Sequence, residues 1–109
     1  MTVPEINTML GGLNIPFTYY QFSEATAKPA PFICWYFADS DDLYADNENF
    51  VGIGTLIIEL YTDAKDFALE AELEGILKAS GLTWARSESY IDTEKLHETV
   101  YETEVLINA

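Results

Sequence analysis

Few side chains in this sequence carry reactive chemistry, and their spacing decides what they can do. His97 is the sole histidine and Cys34 the sole cysteine. A single histidine excludes metal sites built from histidine clusters and leaves a nucleophilic triad only one base to use. A Cys34–His97 dyad would have to draw its nucleophile from the apolar run Phe32–Phe37, where a buried, inert thiol is expected. His97 stands at the start of the last strand-like segment, which gives it a structural or surface role. Asp39, Asp41, Asp42, Asp46 and Glu48 offer oxygen ligands of the kind calcium prefers, but the D-x-[DN]-x-[DN]-G register and the turn glycine are missing. That stretch reads as a solvated loop, with a weak divalent-ion site between associating subunits as the remaining alternative. Gly52 and Gly54 lie inside one strand and precede no helix, so they form no phosphate cradle and mark a bulge or a close backbone approach. Glu98, Glu102 and Glu104 fall at strand spacing, as a solvated row on one exposed sheet face rather than an acid–base pair. No catalytic residue, cofactor or resident metal is expected.

The elements that position these residues follow from periodicity and punctuation. Thr2 and Glu5 have capping-box spacing and Pro4 suits a first turn. Ile6, Met9, Leu10 and Leu13 then share one helical face, and Asn14 closes the helix in the left-handed conformation. A helix this short must dock on something. Ile15–Phe22 is aromatic and β-branched enough for a strand, and 23–30 reads as a loop. The continuous apolar run Pro31–Ala38 predicts a strand covered on both faces. A polar, acidic connection, 39–50, leads to Gly52–Thr62, a second strand expected at the sheet centre. Asp63 is the expected cap of a helix running to Ser80, with Leu69, Leu73, Ile76 and Leu77 as its buried stripe and Gly81 as its stop. Leu82–Ile91 and Leu96–Ile107 predict a hairpin across the polar junction Asp92–Lys95. The fold class is therefore α+β. The order α-β-β-β-α-β-β gives a mixed or antiparallel sheet of about four to five strands with two helices on one face.

The 109 residues suit a single domain, 1–109, and the 49% hydrophobic content supplies a core. Nineteen acidic residues against five basic ones give a net charge of −14, which argues against a nucleic-acid groove and against an anionic membrane surface. Lys28, Lys65, Lys78, Arg86 and Lys95 are scattered and form no patch. No segment has the ~20 apolar residues of a membrane helix, and the first residues lack the pattern of a secretory signal. Cytoplasmic synthesis is the expectation, with export only inside a larger particle. An acidic surface of this kind also suits a small inhibitory protein that mimics DNA toward a basic partner.

From Ile58 to Asp66 the chain reads I-E-L-Y-T-D-A-K-D, followed by the spaced acids Glu70, Glu72 and Glu74. Glu88–Leu96 reads E-S-Y-I-D-T-E-K-L, and Val100-Tyr101-Glu102 follows. Upstream stand the Ile15-Pro16 turn, the run Pro31-Phe32-Ile33-Cys34-Trp35-Tyr36 and the Ala45-Asp46 pair. Together these motifs resemble a family of small tailed-bacteriophage and prophage proteins, the tail-terminator or tail-completion proteins, also described as head–tail joining or minor capsid proteins. The resemblance spans almost the whole chain and carries no catalytic residue. It implies a homo-oligomeric ring, typically hexameric, in the virion at the head–tail junction. Such a ring caps the tail tube protein and joins it to the head connector or stopper protein. An acidic lumen would let DNA pass by repelling phosphate within a Debye length of ~10 Å. Tyr19, Tyr20, Tyr44 and Phe50 are the candidate interface residues, because aromatics are enriched at interface cores.

Overall fold

The computed structural model describes residues 1–22, 29–40 and 52–107. Helix α1 (Val3–Gly11) begins on a complete capping box. Thr2 Oγ1 accepts from the Glu5 backbone N–H at 3.2 Å, and Glu5 Oε1 accepts from the Thr2 N–H at 2.7 Å. Ile6 and Leu10 are fully buried, Met9 and Leu13 nearly so, as their spacing requires. Asn14 takes a left-handed φ of 57° as expected. The predicted strand Ile15–Phe22 shortens to β1 (Phe17–Tyr19), because Tyr20 has a φ of 69° that no regular strand can contain.

Strands β2 (Phe32–Ser40) and β3 (Gly52–Thr62) pair antiparallel, with an irregularity between Ala38 and Ser40 opposite Gly54. Helix α2 (Phe67–Ala79) is capped by Asp66, whose Oδ1 accepts from Leu69 N at 3.0 Å, and not by the expected Asp63. Thr62 is still paired to His97 in the sheet, so residues 63–66 are used in turning the chain onto the sheet face. At the other end Gly81, at φ 79°, closes the helix. Its N–H bonds to Lys78 O at 3.0 Å, and the Leu82 N–H bonds to Leu77 O at 3.0 Å. Strands β4 (Ala85–Ile91) and β5 (Leu96–Ile107) form the hairpin, closed by Ile91–Leu96 with Lys95 at φ 57°. The predicted strand start at Leu82 moves to Ala85, and Leu82 and Trp84 instead pack against the core.

The sheet order is β1-β2-β3-β5-β4, with β1 parallel to β2 and the other pairs antiparallel. The order α-β-β-β-α-β-β and the central place of β3 are as expected. One core joins the inner faces of both helices to Ile33, Trp35, Leu56, Ile58, Leu60, Tyr101 and Val105, so both helices lie on the same side of the sheet. Period-2 alternation then sends Cys34, Tyr36, Ile57, Glu59, Tyr61 and Val100 to the other side, which neither helix covers. Of the expectation that Pro31–Ala38 is covered on both faces, the helix-facing side packs into the core. On the second side, among the described residues, Cys34 is buried while Phe32 and Tyr36 are half-buried beside neighbouring rings.

Candidate functional site

On the side without helices, the cross-strand register lines up side chains across four strands. Phe32, Tyr61, Glu98 and Ser89 occupy one row, and Cys34, Glu59, Val100 and Ser87 the next. In the first row the Phe32 and Tyr61 rings stack at 5.0 Å. The Tyr61 hydroxyl then lies 2.8 Å from Glu98 Oε2, and Ser89 Oγ donates to Glu98 Oε1 at 3.0 Å. The same Tyr61 hydroxyl lies 2.9 Å from Glu59 Oε1, and the Tyr36 hydroxyl donates to Glu59 Oε2 at 3.3 Å. Glu59 is thus fixed between two phenols. Burial, followed by hydrogen bonding to the two glutamates, raises the Tyr61 hydroxyl far above the ordinary phenol range, so it stays protonated. Burial, followed by the Glu59 charge, raises the Tyr36 hydroxyl in the same direction.

These residues floor a pocket of about 630 Å³ whose walls come from Tyr20, Phe22, Pro29 and Ala30 on one side and Ile91, Glu94 and Leu96 on the other. Its volume falls within the range of ligand sites, roughly 300–1,000 Å³. Cys34 sits in its wall, 5% exposed. Burial and then the Glu59 charge push the thiol up to about 11, which leaves it neutral and a poor nucleophile. Cys34 and His97 cannot form a dyad, because the register places them on opposite faces: Cys34 pairs with Glu59, whereas His97 pairs with Thr62 on the helix side.

Of the predicted interface residues, Tyr19 and Tyr20 straddle the β1 edge. Tyr19, 54% exposed, packs edge-on against Trp35 at 5.0 Å on the core side. Tyr20, 60% exposed, stacks on Tyr36 at 5.0 Å and forms the pocket rim. Tyr44 and Phe50 lie outside the described residues, as does most of the acidic stretch 39–48. The expected solvated row Glu98, Glu102, Glu104 is only partly so. Glu102 and Glu104 are exposed, but Glu98 is tied to Tyr61 and Ser89.

A second polar cluster lies under α2 on the helix side. Glu70, 2% exposed, accepts from Thr99 Oγ1 at 3.1 Å and from Lys65 Nζ at 2.8 Å, with Arg86 Nη1 at 3.5 Å. Lys65 Nζ also donates to Glu88 Oε1 at 2.6 Å, and Glu88 Oε1 meets His97 Nε2 at 3.1 Å. Glu74 Oε2 accepts from Arg86 at 2.8 Å and from the Tyr101 hydroxyl at 2.9 Å. Glu70, Glu88 and His97 place ligand atoms within 4.8 Å of one another, close enough to share a metal ion. The Lys65 ammonium already occupies the space between the two carboxylates, so the group is a salt-bridge network that fastens α2 to β4 and β5. Hydrogen bonds to Glu70 and Glu88 raise Lys65, and the bond from Lys65 lowers Glu88.

Sequence reasoning missed Glu70 and Glu59. The signal for Glu70 was its place at i, i+3 and i+7 with Leu73 and Leu77, on the buried stripe. For Glu59 the local signal was partial: strand alternation puts Tyr61 on its face two residues on, but only the β2–β3 register brings Tyr36 onto it. Among the described residues, no helix is long and apolar enough to cross a membrane. No protein-family model matches the chain, and no curated protein matches it.

Proposed function

We propose that the chain is a structural assembly protein of the tailed-phage head–tail junction: a tail-terminator or completion protein that forms a ring, caps the tail tube and meets the head connector. The reading rests on the motif resemblance given above. The single structural observation that supports it is the sheet face that neither helix covers among the described residues. That face presents the half-buried rings of Phe32, Tyr36 and Tyr61, the exposed Tyr20 and the 58% exposed Leu106 to whatever approaches. Ring closure needs a heterologous contact between two different patches of each subunit, each covering roughly 800 Å². The side of the five-stranded sheet that neither helix covers offers one such patch, and the helix layer offers a chemically different second one.

The net charge of −14 opposes association of free subunits, so ionic strength sets the assembly state. Sedimentation velocity at micromolar concentration should show a monomer in low salt and a ring-sized species in high salt or with added tail tube protein. A stable hexamer in low salt contradicts the electrostatic part of this reading. A monomer that stays monomeric in high salt and with tube protein contradicts the assembly role itself.

A second reading is favoured by one feature, the exposed acids Glu102 and Glu104 two residues apart on β5. Their spacing of about 6.7 Å is of the order of that between successive phosphates of one DNA strand. In this reading the chain is a small acidic inhibitor that occupies a basic DNA-binding partner, and it would release that partner from DNA in a competition assay.

A further inference from the structure

The pocket between Tyr20 and the β4–β5 turn has a one-sided chemistry. Five aromatic rings (Tyr20, Phe22, Phe32, Tyr36 and Tyr61) and the carboxylates of Glu59 and Glu94 line it, and no lysine, arginine or histidine does so among the described residues. Rings present electron-rich faces that attract cations, and a phenol donating its proton to a carboxylate becomes richer still. Glu59 has one settled donor of this kind, Tyr36, and shares a second, Tyr61, with Glu98. The Tyr61 hydroxyl has a single proton but lies within 2.9 Å of Glu59 and 2.8 Å of Glu98, so it satisfies one carboxylate at a time. The other carboxylate oxygen faces a phenol oxygen with no proton between them, a deficit that an added positive group removes. The neutral Cys34 thiol contributes no competing charge.

We propose that this pocket is a recognition site for a guanidinium group, carried on an arginine side chain of a protein partner. A planar guanidinium stacks on aromatic faces and meets a carboxylate with paired N–H donors, which an ammonium cannot do. Its charge would lie against Glu59 and its alkyl stem along Phe32 and Tyr36. A protein-borne arginine is favoured over a free metabolite because the pocket opens at the exposed Tyr20 and its floor is part of the sheet face that neither helix covers. The inference rests on the reading of that face as a binding surface and names the chemistry of what docks there.

The test is an amide-resolved NMR titration of the full chain with N-acetyl-arginine-amide, N-acetyl-citrulline-amide and free L-arginine. Citrulline has the same shape without the charge. Saturable shifts centred on Phe22, Cys34 and Tyr61, at least tenfold tighter for the arginine amide than for the citrulline amide, are expected. Glu59→Gln should weaken arginine binding at least tenfold. Glu102→Gln, which removes one charge from the same face outside the pocket, should change it less than twofold. Equal binding of citrulline, equal losses in the two variants, or shifts centred elsewhere would overturn the proposal. Tighter binding of free L-arginine than of its capped form would also overturn it, by identifying a metabolite site. Absence of arginine binding together with salt-dependent assembly would sink this inference and leave the assembly reading standing.

Discussion

Individual residues divide into those whose environment local sequence announces and those set by distant partners. Cys34 belongs to the first group: it lies in an apolar run and is buried. With its thiol pushed up from 9.0 to about 11, the reactive thiolate at pH 7.5 is depleted about 100-fold. Iodoacetamide should therefore modify the native chain at least a hundredfold more slowly than the denatured one, with the rate rising as pH climbs toward 11. Equal rates in the two states would contradict the burial and charge argument. Glu70 belongs to the second group. A glutamate on a helix is read as solvated, yet this one reaches Lys65, Thr99 and Arg86, and only the tertiary fold brings the last two within reach. Truncating a buried charge strands its partners, so Glu70→Ala should cost about 3 kcal/mol in urea unfolding with an unchanged slope. Glu70→Gln keeps an acceptor for Thr99 and should cost less. A loss below about 1 kcal/mol for the alanine variant would show the network to be energetically idle.

At the scale of elements, local chemistry determined most boundaries. The Thr2–Glu5 capping box, the Asn14 turn and the Gly81 stop all lie where side-chain and backbone preferences put them, because each is satisfied within a few residues. Boundaries were misplaced where tertiary pairing intervened: β3 keeps Thr62 in register with His97 and moves the α2 cap from Asp63 to Asp66. β1 ends early because Tyr20 turns left-handed, with its N–H donating to Trp35 O at 2.7 Å. The two glycines at helix ends test this logic in opposite directions. Gly11 lies within α1, has no neighbour within 4 Å of an added Cβ, and Gly11→Ala should stabilise the chain by about 0.5–1 kcal/mol. Gly81 has equally open space but a φ of 79°, so Gly81→Ala should cost about 1 kcal/mol or more. Thermal unfolding of the two variants should move in opposite senses, and a shared sign would refute the helix-end assignment.

For the whole molecule, the fold class was legible and the site only in part. Periodicity gave seven elements in the right order, and the aromatic residues Tyr19 and Tyr20 were picked out from composition. The pocket beside Tyr20 was not visible. Its floor is assembled by Phe32, Glu59 and Tyr61, which are far apart in the chain or separated only by the alternation of one strand, and it exists only once the register of β2, β3 and β5 is fixed. That face, acidic, aromatic and covered by neither helix, is the surface on which the proposed assembly role depends. The most direct measurement is affinity capture of the tagged full chain from phage-producing cells, with partners identified by mass spectrometry. The same capture is made with the surface variant Tyr20→Ser/Leu106→Asp. Enrichment of tail tube or head connector proteins by the parent chain, lost in the variant, is the expected result. Recovery of a DNA-binding enzyme without virion proteins, or capture unaffected by the variant, would contradict it.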